Sequence, residues 1–133
     1  MTVLVTRDLH TPMRHEIRIG PHTLAVDGTV GDGGDGSAPS PHDFYDAALG
    51  ACKALTALWY AKRKGIPVEE IEVRIERDST QERAGTYRLD AQLRVGGPLS
   101  DAQRQELLSV VSKCPIHKLM TAVKTEITTS LAD

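Results

Sequence analysis

The sequence predicts an α+β fold in which strands come in clusters around one long helix. Strand-like segments dominate the first 27 residues, one helical pattern covers residues 40–64, and two further strands follow each other directly. Strands that are clustered, instead of alternating singly with helices, favour α+β over a doubly wound parallel sheet. A chain of 133 residues has the length of one domain, so we expect residues 1–133 to form a single domain.

The amino-terminal segment predicts two or three strands. Apolar residues stand at positions 3–5 and again at 17, 19, 24 and 26, and Pro12 and Gly20 mark turns between them. Residues 28–39 are rich in Gly, Asp and Pro, which favours an irregular loop. A loop of this length in a small protein often borders a site.

The central helix is predicted to begin after Ser40, with Pro41 at its first position and Asp43 completing a capping box. It ends near Lys64, ahead of Gly65. At 100° per residue the helix is apolar on both sides, so we expect it to be buried on most sides. One stripe holds Tyr45, Ala48, Cys52, Leu55 and Trp59, and the other holds Gly50, Ala54, Ala57 and Ala61.

The second half of the chain predicts two strands, two helices and a closing strand. The strands cover residues 69–77 and 85–95, and the second alternates apolar with charged residues, as in a sheet with one solvated face. Ser100 opens a helix that stops near Lys113, and Cys114 with Pro115 begins a short third helix. Residues 123–131 are predicted to form the last strand.

Composition excludes several classes of function. A formal net charge of −2 offers no basic surface for nucleic acid or for an anionic membrane. No stretch approaches the roughly 18 apolar residues of a membrane span, and the amino terminus lacks a signal-peptide pattern, so we expect a cytoplasmic protein. In that reducing compartment two cysteines point to catalysis, redox sensing or metal binding.

The two cysteines occupy different local settings. Cys52 lies inside an apolar helix, where a buried free cysteine is common. Cys114 stands at a helix start, where backbone amides favour thiolate, so we expect a lowered pKa, although it could merely cap the helix. His117 follows three residues later, yet a zinc site needs more ligands than this pair supplies. Nucleotide and phosphate-loop motifs are absent, and we expect neither a metal nor a cofactor.

Two motifs together resemble the paired signature of the OsmC/Ohr family, in the form frequent in its OsmC-like branch. The first runs from Ser40 to Cys52 as SPHDFYDAALGAC, and the second runs from Lys113 to Lys118 as KCPIHK. The resemblance covers nearly the whole chain. It implies an intertwined homodimer with long helices packed centrally and with active sites at the subunit interface.

The resemblance also implies a peroxiredoxin-like organic hydroperoxide reductase. Cys52 would be the peroxidatic thiolate that becomes a sulfenic acid, and Cys114 would be the resolving thiol that forms a disulfide with it. An external dithiol, for example of the lipoyl type, would reduce that disulfide. A low-pKa thiolate beside a resolving partner is what reversible sulfenic acid chemistry needs.

Further site residues follow from the same resemblance. In the family an arginine from the amino-terminal hairpin and an acid early in the central helix hold each other and orient the thiolate. We expect Arg14 in the first role, or Arg18 if the hairpin register shifts, and Asp43 in the second. Relatives often carry Glu, which is one methylene longer, and His42 occupies the place of the acid in some of them. We expect Arg18, His42 and Tyr45 to contact substrate.

Two alternatives remain open on the sequence. The protein could hold an apolar ligand in the interface pocket without catalysis, its cysteines being vestigial or redox-sensing, since the pair His42 and Asp43 departs from the usual acid. It could also use Cys114, His117 and another histidine for zinc.

Overall fold

The computed structural model describes residues 1–133 and divides into two compact units, Met1–Ala47 and Ala48–Asp133. It contains a three-stranded and a two-stranded antiparallel sheet and three α-helices, which confirms the predicted α+β class. That residues 1–133 form one domain stays a prediction.

The amino-terminal unit is built on a meander of three strands. Strands β1 (Val3–Arg7), β2 (His15–Ile19) and β3 (His22–Val26) pair in that order, each antiparallel to the next. The β2–β3 connection has only two residues, and Gly20 adopts a φ of +57° there. A tight hairpin turn requires such a positive φ, which explains the glycine.

The loop over residues 28–39 is folded against itself. It contains a short 3₁₀ turn, Val30–Asp32, and its ends meet where the Asp27 amide donates to the Pro39 carbonyl at 3.1 Å. A Cβ atom on Gly34 would lie 2.2 Å from the Gly28 carbonyl oxygen. Only glycine permits that approach, so the glycine at position 34 allows the predicted irregular loop to pack tightly.

The long helix α1 (Pro41–Lys64) has the predicted limits. At its start the Asp43 amide donates to Ser40 Oγ at 3.3 Å, and the Ser40 amide donates to the Asp43 carboxylate at 2.9 Å. Gly65, with a φ of +68°, follows its end. No helix in the structure is both long enough and apolar enough to cross a membrane.

The carboxy-terminal unit packs a hairpin and two helices with most of α1. Strands β4 (Glu70–Asp78) and β5 (Arg88–Gly96) pair in full register, and helices α2 (Asp101–Val111) and α3 (Pro115–Thr121) follow. A Cβ on Gly50 would lie 3.1 Å from the Ile75 side chain, so the glycine lets α1 approach β4 closely. The buried core consists of Ala61, Ile66, Val95 and Leu107.

The expectation that α1 is buried on most sides is wrong for the single chain. Its buried residues recur every three or four positions, which is one helical face: Asp46, Leu49, Lys53, Ala57 and Ala61. On the other face Leu55 is 68% and Trp59 is 58% exposed. The Arg63 guanidinium group lies over the Trp59 ring, 5.1 Å from its centroid, but both apolar side chains remain largely exposed to solvent.

The closing strand predicted over residues 123–131 is also wrong for the single chain. These residues form no strand and are exposed along their whole length. A strand needs a neighbour to accept and donate its backbone hydrogen bonds, and neither sheet of the chain supplies one here. Residues 123–131 keep the sequence pattern of a strand, but the single chain offers no neighbouring strand for them to pair with.

Candidate active site

The two cysteines meet in the carboxy-terminal unit. Cys52 lies in the middle of α1 and Cys114 lies at the start of α3, and the two thiols are close enough for Cys52 to influence the pKa of Cys114. Both are free. Cys52 is half-buried, whereas Cys114 is 1% exposed. The pair therefore has one cysteine that is partly open to solvent and one that is not.

The local sequence explains how Cys114 reaches this position. After α2 ends, the Cys114 amide donates to the Val111 carbonyl at 3.3 Å, which turns the chain back. Cys114 is extended, with φ −62° and ψ 157°, and Pro115 occupies the first position of α3. Proline disfavours helical backbone in the residue before it, so the Cys-Pro pair fixes a sharp helix start. The next amide, that of Ile116, donates to Cys52 Sγ at 3.4 Å.

The prediction that the helix start lowers the pKa of Cys114 is wrong. Burial raises the pKa of the Cys114 thiol, and the neighbouring Cys52 thiol raises it further. The His117 amide and the positive charge of Lys53 act in the opposite direction and do not outweigh burial. Sequence could identify the helix start but not the depth at which the sulfur lies.

A buried lysine is the least expected group of the site. Lys53, next to Cys52 in the chain, is 6% exposed. Its Nζ donates to the Val111 carbonyl at 2.8 Å and lies 3.2 Å from His117 Nδ1. An ammonium group has donors only, so Nδ1 is the acceptor in this contact. Lys53 thus joins α1 to residues on both sides of Cys114.

The sequence contained a signal for Lys53 that motif reasoning missed. Positions 46, 49, 53, 57 and 61 are spaced as one helical face, and Lys53 is the cation within it. A lysine on a face that is otherwise mostly apolar predicts either a buried charge or a solvated one. Only the arrangement of α2 and α3 decides between them.

The metal hypothesis lacks a third ligand in this structure. His117 directs Nδ1 to Lys53, and the chain contains no cluster of three or more His, Cys, Asp or Glu side chains suited to a metal ion. A zinc site built by one chain needs at least three such ligands.

In the amino-terminal unit Arg14 is held by a hydrogen-bonded chain. Its Nη1 donates to the Ser37 carbonyl at 3.0 Å and to Ser37 Oγ at 2.8 Å. That hydroxyl donates in turn to the Asp27 carboxylate at 2.7 Å, and the Ser37 amide does so at 2.9 Å. The hydroxyl and amide of Ser37 lower the pKa of the Asp27 carboxyl. No motif in the sequence pointed to Asp27 or Ser37.

The other predicted residues lie at separate places in the same unit. Arg18 forms an exposed ion pair with Glu16 at 3.1 Å, and Asp43 accepts the Ser40 amide as part of the α1 cap. His42 is exposed in the first turn of α1, and Tyr45 is 46% exposed. Arg14 and Arg18 both line a cavity of about 600 Å³ on the three-stranded sheet.

Comparison with known proteins agrees with this architecture. The family model described as OsmC-like protein matches residues 34–130. No curated protein sequence matches closely enough to count as a relative. The fold is similar to that of an OsmC-like protein from Mycoplasma pneumoniae, at 18% identity and a TM-score of 0.74, over 92% of this chain and 87% of the other.

Two similar structures are named for organic hydroperoxide resistance. One is the protein OsmC from Legionella pneumophila, at 19% identity and a TM-score of 0.63, covering 92% of this chain and 90% of that one. The other is OhrB of Bacillus subtilis, at 20% identity and a TM-score of 0.60, covering 92% of each chain. Likeness at this identity shows the fold alone. The family model spans most of the chain, and together with the shared fold it places this protein in the OsmC-like family.

Proposed function

We propose that the protein is a thiol-dependent peroxidase that reduces organic hydroperoxides. The observation that carries this proposal is the contact between the Cys52 and Cys114 thiols, one half-buried and the other fully buried. Reversible sulfenic acid chemistry needs a reachable sulfur with a second thiol beside it, and this pair meets both needs. Two proteins with similar folds bear names that refer to organic hydroperoxide resistance.

The proposed cycle has three balanced steps. The Cys52 thiolate attacks the terminal peroxide oxygen and breaks the O–O bond, giving a Cys52 sulfenic acid and an alkoxide that takes a proton to become the alcohol. The Cys114 thiol condenses with the sulfenic acid, which forms the disulfide and releases water. An external dithiol then reduces the disulfide to two thiols and becomes a disulfide itself.

We assign the orienting role to Arg14 and keep Asp43 as its proposed acid partner. Arg14 is supported by its fixed guanidinium group, which Ser37 holds through two hydrogen bonds. Arg18, His42 and Tyr45 are proposed to contact substrate. Support for Arg18 is the weaker because its ion pair with Glu16 is solvent-exposed.

We propose that the working form is the homodimer implied by the family resemblance. The exposed face of α1 carries the large apolar side chains of Leu55 and Trp59, which are mostly open to solvent in the single chain. Residues 123–131 keep a strand pattern with no neighbour to pair with. A second copy would satisfy both features, and sedimentation velocity measures whether it is present.

A stopped-flow peroxidase assay tests the function directly. Wild-type protein with cumene or tert-butyl hydroperoxide and a dihydrolipoyl-type reductant should turn over repeatedly, because oxidant and reductant act on one cysteine pair. The Cys52→Ser variant should lose turnover entirely, since serine cannot form a sulfenic acid. The Lys62→Met variant, altered at an exposed position of the same helix, serves as the control and should keep it.

Two results would reject the proposal: no turnover by the wild type, or turnover that survives Cys52→Ser. If the wild type shows no turnover and a Cys52→Ser/Cys114→Ser variant still binds an apolar ligand normally, the alternative of a non-catalytic binding protein is supported.

A further inference from the structure

We propose that Lys53 is a positioning residue of the dithiol site, whose fixed ammonium group supplies the positive charge that stabilises Cys114 as the leaving thiolate when the disulfide is reduced. This inference rests on the proposed function and concerns its reductive half, for which the family motifs name no residue. It is carried by the two hydrogen bonds of Lys53 and by its burial.

Lys53 is hydrogen-bonded to residues on both sides of Cys114 in the chain. Its Nζ bonds to the carbonyl of Val111, three residues before Cys114, and to the ring of His117, three residues after it. The ammonium group therefore holds both ends of the short segment that carries the sulfur. Cys52, the residue adjacent to Lys53, approaches the same sulfur from α1.

The charge of Lys53 is not neutralised by its hydrogen-bond partners. A carbonyl oxygen and an imidazole nitrogen accept hydrogen bonds, but neither carries a full negative charge. Burying an ammonium group without an anion is costly. A thiolate on Cys114 would supply that anion, so the charge of Lys53 and the ionisation of Cys114 stabilise each other.

The chemistry of disulfide reduction requires such help on Cys114. Solvent can reach Cys52 and not Cys114, so the thiolate of the reducing dithiol attacks the Cys52 sulfur. A bond forms between the reductant and Cys52, the Cys52–Cys114 bond breaks, and its electron pair leaves on Cys114. The second thiol of the reductant then displaces Cys52, and the two protons of the dithiol end on the two cysteines.

A thiol with a high pKa leaves slowly in this exchange. Burial raises the pKa of Cys114, whereas the positive charge of Lys53 lowers it. The groups that face Cys114 are Cys52 and Lys53 from α1 and the His117 amide from α3. Lys53 is the one cation among these groups, so its removal should leave the effect of burial unopposed.

Titration of Cys114 by thiolate absorbance tests this inference. In a Cys52→Ala background Cys114 is the remaining thiol, and no peroxide turnover is needed to observe it. Lys53→Met and Lys53→Gln should each raise the measured pKa by about one unit, the size expected when a neighbouring opposite charge is lost. Lys53→Arg should restore the original value. Lys62→Met, at an exposed position of the same helix, should leave it unchanged.

The variants also separate charge from structure. The Val111 carbonyl keeps the Cys114 amide as a donor, so Lys53→Met should fold. If it does not, the Gln and Arg variants give the same comparison with a side chain that still donates hydrogen bonds. Equal pKa values in those two variants, or a shift no larger than that of Lys62→Met, would overturn the inference. A clear shift without peroxidase activity would instead reject only the proposed function.

Discussion

The two units hold their basic side chains in opposite ways. Arg14 of the amino-terminal unit is connected to the Asp27 carboxylate through the Ser37 hydroxyl, so an anion lies one hydrogen-bonded side chain away from its positive charge. Lys53 of the carboxy-terminal unit is buried between two uncharged acceptors. Arg14 is therefore held in place and linked to a carboxylate. Lys53 is also held in place, but its positive charge has no anionic partner until Cys114 ionises. One arrangement suits orientation, and the other suits stabilisation of a charge that forms during reaction.

Of the substitutions that test these two arrangements, removal of Arg14 should cause the largest loss of peroxidase activity. If Arg14 orients the peroxidatic thiolate, Arg14→Leu should lower kcat/KM for cumene hydroperoxide by about 100-fold, as expected for loss of one preorganised donor. Arg18→Leu should lower it less than Arg14→Leu does, because Arg18 is proposed to contact substrate but its solvent-exposed ion pair with Glu16 does not fix the side chain as Ser37 fixes Arg14. Steady-state kinetics on both variants measures this contrast. A larger loss in Arg18→Leu would transfer the role to Arg18.

A smaller effect should appear in stability and should depend on pH. The pKa of Asp27 lies below its ordinary value of 3.8. Its stabilising contribution is therefore fully present above about pH 3.8 and is lost as pH falls through the lower folded-state value. Asp27→Asn should destabilise the protein at neutral pH, and its difference from wild type should shrink in acid.

Urea unfolding across a pH series measures this difference. Glu126→Gln, which removes a carboxylate whose ion pair with Lys124 is solvent-exposed, is the matched control and should have little effect at any pH. If the difference between Asp27→Asn and wild type stayed constant as pH falls, the hydrogen bonds from Ser37 would not account for the stabilising contribution of the Asp27 carboxylate.

Local patterns predicted nearly all of the secondary structure. Alternation located β4 and β5 to within about three residues, and the caps at Ser40 and Ser100 fixed the starts of α1 and α2. The strand predicted for residues 123–131 is absent from the single chain, because a strand needs a neighbouring strand and the local sequence pattern does not identify one.

The site was only partly predictable, since its properties depend on distant residues. Family motifs identified Cys52 and Cys114, and the structure brings them together. The pKa of Cys114 was predicted in the wrong direction because a helix start is a local feature and burial is not. The contact between Arg14 and Ser37 spans 23 positions and depends on how the glycine loop packs.

In the proposed cycle Cys52 and Cys114 form one redox pair, and mass spectrometry with a free-thiol count after one equivalent of hydroperoxide tests this pairing. Both thiols should be lost, and the mass should fall by two hydrogen atoms. In Cys114→Ser the sulfenic acid should persist as the addition of one oxygen. A wild-type protein that gained a stable oxygen while Cys114 stayed free would show that the two cysteines do not act as a redox pair.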